Sequence, residues 1–148
     1  MSLFSSQYEC KLDAKGRMVL PAKIKSNLPE ASSSELMLRM GIEPSLILYP
    51  LMEYKRISSK ISGLGDFDPE SRRLKRSFFS SVAPVDLDGN GRINIPNIYM
   101  KYAQLEKDAI VIGIGNSIEI WSPELYRQYM IQDQEEFSQL AQKLLEES

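Results

Sequence analysis

Apolar and polar residues alternate from Tyr8 to Leu12, with Glu9 and Lys11 set between Tyr8, Cys10 and Leu12, the period of a half-buried strand. A loose start, Met1 onward, leads into it. Lys15-Gly16 interrupts the run with a turn, and Met18, Val19 and Leu20 resume extended structure. Pro21 cannot donate to a ladder and is pre-set for a first helical position, so the strand is expected to end there. A short helix should follow through Asn27, with Ile24 and Leu28 one turn apart, and then a polar loop over Pro29–Ser34. Two short apolar strands, Glu35–Met40 and Leu46–Tyr49, flank the Gly41–Ser45 turn. Tyr54, Ile57, Ile61 and Leu64 then fall 3, 4 and 3 apart, the stripe of an amphipathic helix ended by Gly63-Leu64-Gly65. Asp68-Pro69 opens another helix, with Leu74, Phe78 and Val82 on one face and Arg72, Arg73, Lys75 and Arg76 around the other. Strands Ala109–Ile112 and Ile118–Trp121 flank Gly113–Ser117. From the Ser122-Pro123 cap one final helix is expected, with Tyr126, Tyr129, Met130, Phe137, Leu140 and Leu144 on one side and a fraying end at Gln139–Ser148.

Much of this pattern is written twice. Asp13-Ala14-Lys15-Gly16-Arg17-Met18-Val19-Leu20-Pro21 returns as Asp88-Gly89-Asn90-Gly91-Arg92-Ile93-Asn94-Ile95-Pro96, with Asp, Gly, Arg and Pro all at an offset of 75. Ile24/Tyr99 and Leu28/Ala103 extend the match. The strand–turn–strand segment after it repeats at an offset of 72, with Gly41 against Gly113, Ser45 against Ser117 and Tyr49 against Trp121. The three-residue difference is assigned to the intervening loop, since loops absorb such changes. An internal repeat fixes architecture before any other argument. Each half alone would be marginal in size, so the two copies are expected to share one core.

Composition narrows the class. At 148 residues, 43% apolar and 26% charged, the chain reads as one ordinary globular domain. No apolar run reaches the ~18 residues of a membrane helix, and the start lacks a signal-peptide pattern, so a cytoplasmic, membrane-free protein is expected. Cys10 is the only cysteine and histidine is absent. An intrachain disulfide, a cysteine-rich zinc site and the commonest general base are therefore excluded, and no cofactor or metal is expected. The net charge of −2 conceals a division: residues 1–28 carry five cations against two carboxylates, and residues 119–148 carry two against seven. Distribution sets the local field more than the sum does.

The doubled Asp-x-x-x-Arg element is the candidate chemistry. Asp13 and Asp88 suit a turn whose backbone N–H groups they accept, and Gly16 and Gly91 suit its tight bend. Arg17 and Arg92 could merely pair with these carboxylates at the surface, where ion pairs contribute little. A turn alone does not require Arg at a fixed place twice, so the functional reading is an outward guanidinium fork suited to phosphate or guanine edges. Lys15, Lys23 and Lys25 join Arg17 in the first copy, whereas the second has Asn90, Ile98 and Met100 there. The first loop is thus the candidate anion site, and Asp88, Gly91 and Arg92 are assigned to loop structure or assembly.

Three other signals fade on inspection. Asp86 to Gly91 imitates the start of an EF-hand loop, but position 12 is Asn97 behind Pro96 and the flanks read as strands. Gly113-Ile114-Gly115 resembles a dinucleotide loop, but Ile118 stands at the third glycine position, and a hairpin turn at Gly115-Asn116 explains it better. Tyr49 and Trp121 read as core or interface anchors. The basic run Arg72–Arg76 reads as a solvated helix face, with the acidic tail of a neighbouring subunit as an alternative partner.

The segments LDAKGRMVLPAKIK, LILYPLMEYKRI, DLDGNGRINIP and IEIWSPELY, with ESRRLKRSFF between the copies, resemble the MraZ family over nearly the whole chain. That family consists of transcriptional regulators built from two SpoVT–AbrB-type domains. The resemblance implies an α+β fold, a swapped-hairpin β-barrel formed by two internal repeats and flanked by helices. The corresponding divisions are a first repeat at 5–51, linking helices at 52–82, a second repeat at 83–123 and a C-terminal helix at 124–148. It further implies a ring-shaped homo-oligomer that binds double-stranded DNA at repeated promoter boxes of the cell-division and cell-wall gene cluster, near the nucleoid. The family's DNA-contact arginine maps onto Arg17, with Lys15 in the same motif. Lys23 and Lys25 stand where many members carry Arg, a point charge in place of a fork. A protein-binding ring scaffold is the rival reading, and an enzyme is not expected.

Overall fold

The computed structural model describes residues 3–29 and 35–146. The expected loop beyond Pro29, and the last two residues of the expected fraying end, lie outside the described residues. The first repeat comprises β1 (Gln7–Lys11), β2 (Arg17–Val19), α1 (Ala22–Ser26), β3 (Glu35–Met40) and β4 (Leu46–Pro50), followed by α2 (Leu51–Ser62) and α3 (Pro69–Ser80). The second comprises β5 (Val82–Asp86), β6 (Arg92–Asn94), α4 (Asn97–Tyr102), β7 (Asp108–Gly113) and β8 (Ile118–Trp121), followed by α5 (Pro123–Tyr129) and α6 (Gln134–Glu146). The fold is mixed α+β, with antiparallel sheets and several helices.

Strand pairing binds the repeats together. A six-stranded sheet runs β1-β7-β8-β4-β3-β5, and a separate two-stranded ribbon pairs β2 with β6. Each repeat's first strand pairs with the other repeat's third, β1 with β7 and β5 with β3. The ribbon is likewise built from one strand of each copy, with Met18 opposite Ile93 at its centre. Neither copy completes its own hydrogen-bond ladder.

The core follows from strand alternation. Leu46, Leu48, Ile118 and Ile120 are wholly buried at the centre of the sheet, where β4 meets β8. Met18 and Ile93 turn inward from the ribbon to the same cluster, joined by Leu20, Ile95, Ile24 and Tyr99. Phe4 seals one end through paired backbone bonds with Gly115, each 2.8 Å. Gly113 lets this N-terminal segment cross, because a Cβ there would collide with the Ser5 nitrogen. The Ile114 N–H bonds the Ser117 carbonyl at 3.0 Å, and Gly115 has φ +90°, so the turn at Gly115-Asn116 is the hairpin turn the sequence suggests.

Several expectations are corrected. The final helix is two helices. Met130 adopts extended backbone (ψ 154°), and the Asp133 carboxylate restarts the chain by accepting the Glu136 N–H at 2.8 Å. Val82 is the first residue of β5, since the preceding helix stops at Ser80. Pro21 is a helix cap with ψ 139°, and Ala22 is the first helical residue. Gly41 and Gly113 are not equivalent. Glu35–Met40 corresponds to Asp108–Gly113 in burial pattern, an offset of 73, so two residues are lost before these strands and one in the hairpin turn. Ser122 caps α5, as expected, by accepting the Leu125 N–H at 3.1 Å.

Candidate functional site

The repeated turn is constructed almost identically in both copies. The Asp13 carboxylate accepts N–H bonds from Lys15 and Arg17, each 2.9 Å, through one oxygen. Its other oxygen accepts the Arg17 Nε–H at 2.7 Å. Asp88 does the same for Asn90 and Arg92, with 2.9, 2.9 and 3.0 Å. A β-turn bond from the Gly16 N–H to the Asp13 carbonyl, 3.1 Å, closes the loop. Gly16 and Gly91 have φ of +81° and +74°, which a side chain would make costly. The same hydrogen bonds hold both carboxyl groups below their ordinary pKa. The Arg17 or Arg92 backbone N–H is the largest cause, with the Lys15 or Asn90 N–H and the guanidinium also contributing.

The two turns lock each other. The Ile95 N–H bonds the Gly16 carbonyl at 2.8 Å, and the Leu20 N–H bonds the Gly91 carbonyl at 3.0 Å. A Cβ on Gly16 would stand 2.6 Å from the Ile95 carbonyl oxygen, so this approach is open to glycine alone.

Both arginines begin ribbon strands. Alternation turns Met18 and Ile93 inward, leaving Arg17, Val19, Arg92 and Asn94 on the opposite face. Arg17 lies across from Asn94, and Arg92 across from Val19. The guanidiniums therefore occupy diagonal corners of one outward face. The Arg17 and Arg92 side chains keep 37% and 31% of their exposure, neither entombed by its carboxylate. Asp13 engages Nε alone, and the terminal Nη1 and Nη2 of both arginines have no protein hydrogen-bond partner among the described residues. Each fork is aimed by its carboxylate with its outer edge unpaired.

The lysines are divided. Lys15 is exposed within the first turn beside Arg17. Lys23 lines a groove with Tyr8, Cys10, Lys11 and Val19. Lys25 reaches the other loop, where a Cβ added to Gly91 would stand 2.8 Å from its Nζ. Because the copies cross, α1 leans over the second repeat's turn. Asn94 is a residue sequence reasoning missed; nothing in the linear pattern announces that it faces Arg17. Among the described residues no group of three or more Cys, Asp or Glu is arranged to hold a metal ion, and no helix is long and apolar enough to cross a membrane.

Comparison with known proteins agrees with the duplication. The family model described as "MraZ protein, putative antitoxin-like" matches twice, at residues 3–77 and 78–147. A protein of Cytophaga hutchinsonii, "Transcriptional regulator MraZ", is 52% identical over 145 residues, covering 98% of this chain and 96% of its own. Two tandem matches and an end-to-end relative, on a fold whose copies interlock through the doubled Asp-x-x-x-Arg turn, establish that this chain belongs to the MraZ family.

Proposed function

We propose that the chain is a sequence-specific DNA-binding transcriptional regulator. It acts as a ring-shaped homo-oligomer on repeated boxes in the promoter of the division and cell-wall gene cluster, in the cytoplasm at the nucleoid. The crossed pairings β1 with β7, β5 with β3 and β2 with β6 support reading the fold as the swapped-hairpin barrel of AbrB-type domains. The name of the Cytophaga hutchinsonii relative supports the regulatory role, a non-enzymatic one.

The observation that carries this reading is the outer edge of Arg17, held in place by Asp13 and without a hydrogen-bond partner among the described residues. A two-stranded ribbon fits the major groove, and an arginine fork matches guanine O6 and N7. Asp13 limits the rotamers of Arg17, so less freedom is lost on docking. Lys15 adds a phosphate contact next to it, and Lys23 and Lys25 supply further cationic charge at the flanks. Arg92, with Asn94 on the shared face, is a second contact that the ribbon presents alongside its loop-structuring role. Few charges per subunit release few counterions, so affinity rests on several subunits engaging spaced boxes together. A footprint of the purified protein on the region upstream of its own gene tests the proposal. Protection at regularly spaced boxes supports it; no protection over a range of salt concentrations refutes it.

The exposed apolar stripe of α6 and the acidic net charge favour a second reading, a ring scaffold for protein partners with incidental DNA contact. Salt separates the two, because only a DNA reader loses DNA affinity steeply as salt rises.

A further inference from the structure

The β2–β6 ribbon is nearly two-fold symmetric, and one pair of outward positions breaks the symmetry. Arg17 and Arg92 are repeat equivalents at an offset of 75, and by the same offset Asn94 answers to Val19. Each arginine faces a residue of the other copy, so one rung of the ribbon is Arg17–Asn94 and the other is Arg92–Val19. Backbone bonds join Ile95 to Gly16 and Leu20 to Gly91. By the two-residue period of an antiparallel ladder, both outward rungs are then the non-bonded kind, whose side chains stand closest together. Their Cβ atoms are about 4.5–5.5 Å apart. Stacked base pairs are ~3.4 Å apart, so the two side chains of one rung suit neighbouring base pairs.

Asn94 is exposed, and its amide makes no hydrogen bond among the described residues. The Oδ1 atom lies over the first turn, 3.6 Å from where a Cβ on Gly16 would stand. Asn is a poor strand residue and Val a good one, so the amide serves neither the ladder nor the turn. Its chemistry also differs from that of another cation beside Arg17. Phosphate oxygens only accept, whereas an adenine edge offers the N7 acceptor and the N6 donor together, which a single amide matches.

We propose that Asn94 is a specificity-determining residue: its amide takes the major-groove edge of an adenine in the base pair next to the guanine held by Arg17. Val19 has no donor or acceptor and offers the pair beside Arg92 only an apolar contact, suited to a thymine methyl group. The two rungs therefore read different bases, one by hydrogen bonds and one by shape. The inference rests on the DNA-binding reading above and names a base that the ribbon selects.

Selection from a pool of randomised double-stranded DNA, run in parallel with the wild type, Asn94→Val and Val19→Asn, tests the assignment. Wild-type protein should recover boxes in which an adenine neighbours a guanine. Asn94→Val installs the first copy's own residue at an exposed strand position; it should keep the guanine and lose about tenfold of the preference for adenine. An amide releases no counterion, so the salt dependence of its binding should match the wild type. Should Asn94→Val fail to fold, Val19→Asn decides: a new adenine preference at the opposite end of the box supports the proposal, and none refutes it. An unchanged adenine preference in folded Asn94→Val would overturn the proposal, as would wild-type boxes that lack this adenine. A uniform loss of affinity over all boxes would do the same, by making Asn94 a backbone contact. A wild type that recovers no common sequence would instead sink the sequence-specific reading itself.

Discussion

Arg17 donates to Asp13 through Nε alone, over 2.7 Å, and its terminal nitrogens have no protein partner among the described residues. The pair is therefore an aiming device. The carboxylate sits four residues back in the chain and already accepts two backbone N–H bonds, so it is fixed before it orients the guanidinium.

Replacing that carboxylate tests the aim. Asp13→Asn keeps an acceptor for the turn but removes the charge that holds Nε. The expected outcome is a folded protein whose promoter affinity falls several-fold while Arg17 is still present. A gel-shift titration beside a thermal melt distinguishes this from simple unfolding.

The glycines of the turns should rank by geometry. Gly89→Ala meets open space at an ordinary φ and should be close to neutral. Gly115→Ala is also unobstructed, but its φ of +90° should cost about 1–2 kcal/mol. Gly16→Ala suffers a positive φ and an approach of 2.6 Å to the Ile95 carbonyl oxygen, so it should be the most damaging, about 3 kcal/mol. Urea denaturation of the three proteins gives the order directly.

The ribbon's centre should behave as core although it lies beneath the candidate contact surface. Ile93 is wholly buried opposite Met18, and Ile93→Ala should cost about 2–5 kcal/mol. Met18→Leu, which preserves volume, should cost less than about 1.5 kcal/mol. Because the ribbon takes one strand from each repeat, loss of Ile93 should unfold both copies in one transition, visible as coincident fluorescence and far-UV melts.

Protonation acts on the same turns. Asp13 and Asp88 have lowered pKa in the folded chain, the backbone N–H of the following arginine being the main cause. A depressed carboxylate binds fewer protons folded than unfolded, so its contribution is present above the ordinary aspartate value of about 3.9. That contribution disappears as pH falls through the lower, folded value. Carboxyl-carbon NMR should show both residues titrating below the ordinary aspartate value, and Arg17→Ala should move Asp13 upward.

The elements and the repeat were legible because strand alternation, Gly at the turns and Pro after each short strand are local signals. The crossing of the copies was not. Self-similarity states that there are two units but says nothing about whether β1 pairs within its own unit or with β7, so the placing of Lys25 over Gly91 and Asn94 beside Arg17 stayed hidden. The break between α5 and α6 did have a signal. Asp133-Gln134-Glu135-Glu136 has a cap residue followed three positions later by Glu, the pattern of a helix start, within a stripe that otherwise reads as continuous.

The central claim is that Arg17 grips DNA from a turn whose fold does not need it to do so. Footprinting and light scattering on the Arg17→Ala protein test this most directly. Promoter affinity should fall by about tenfold or more, with assembly size unchanged. Wild-type protection of the same boxes by Arg17→Ala would contradict the account.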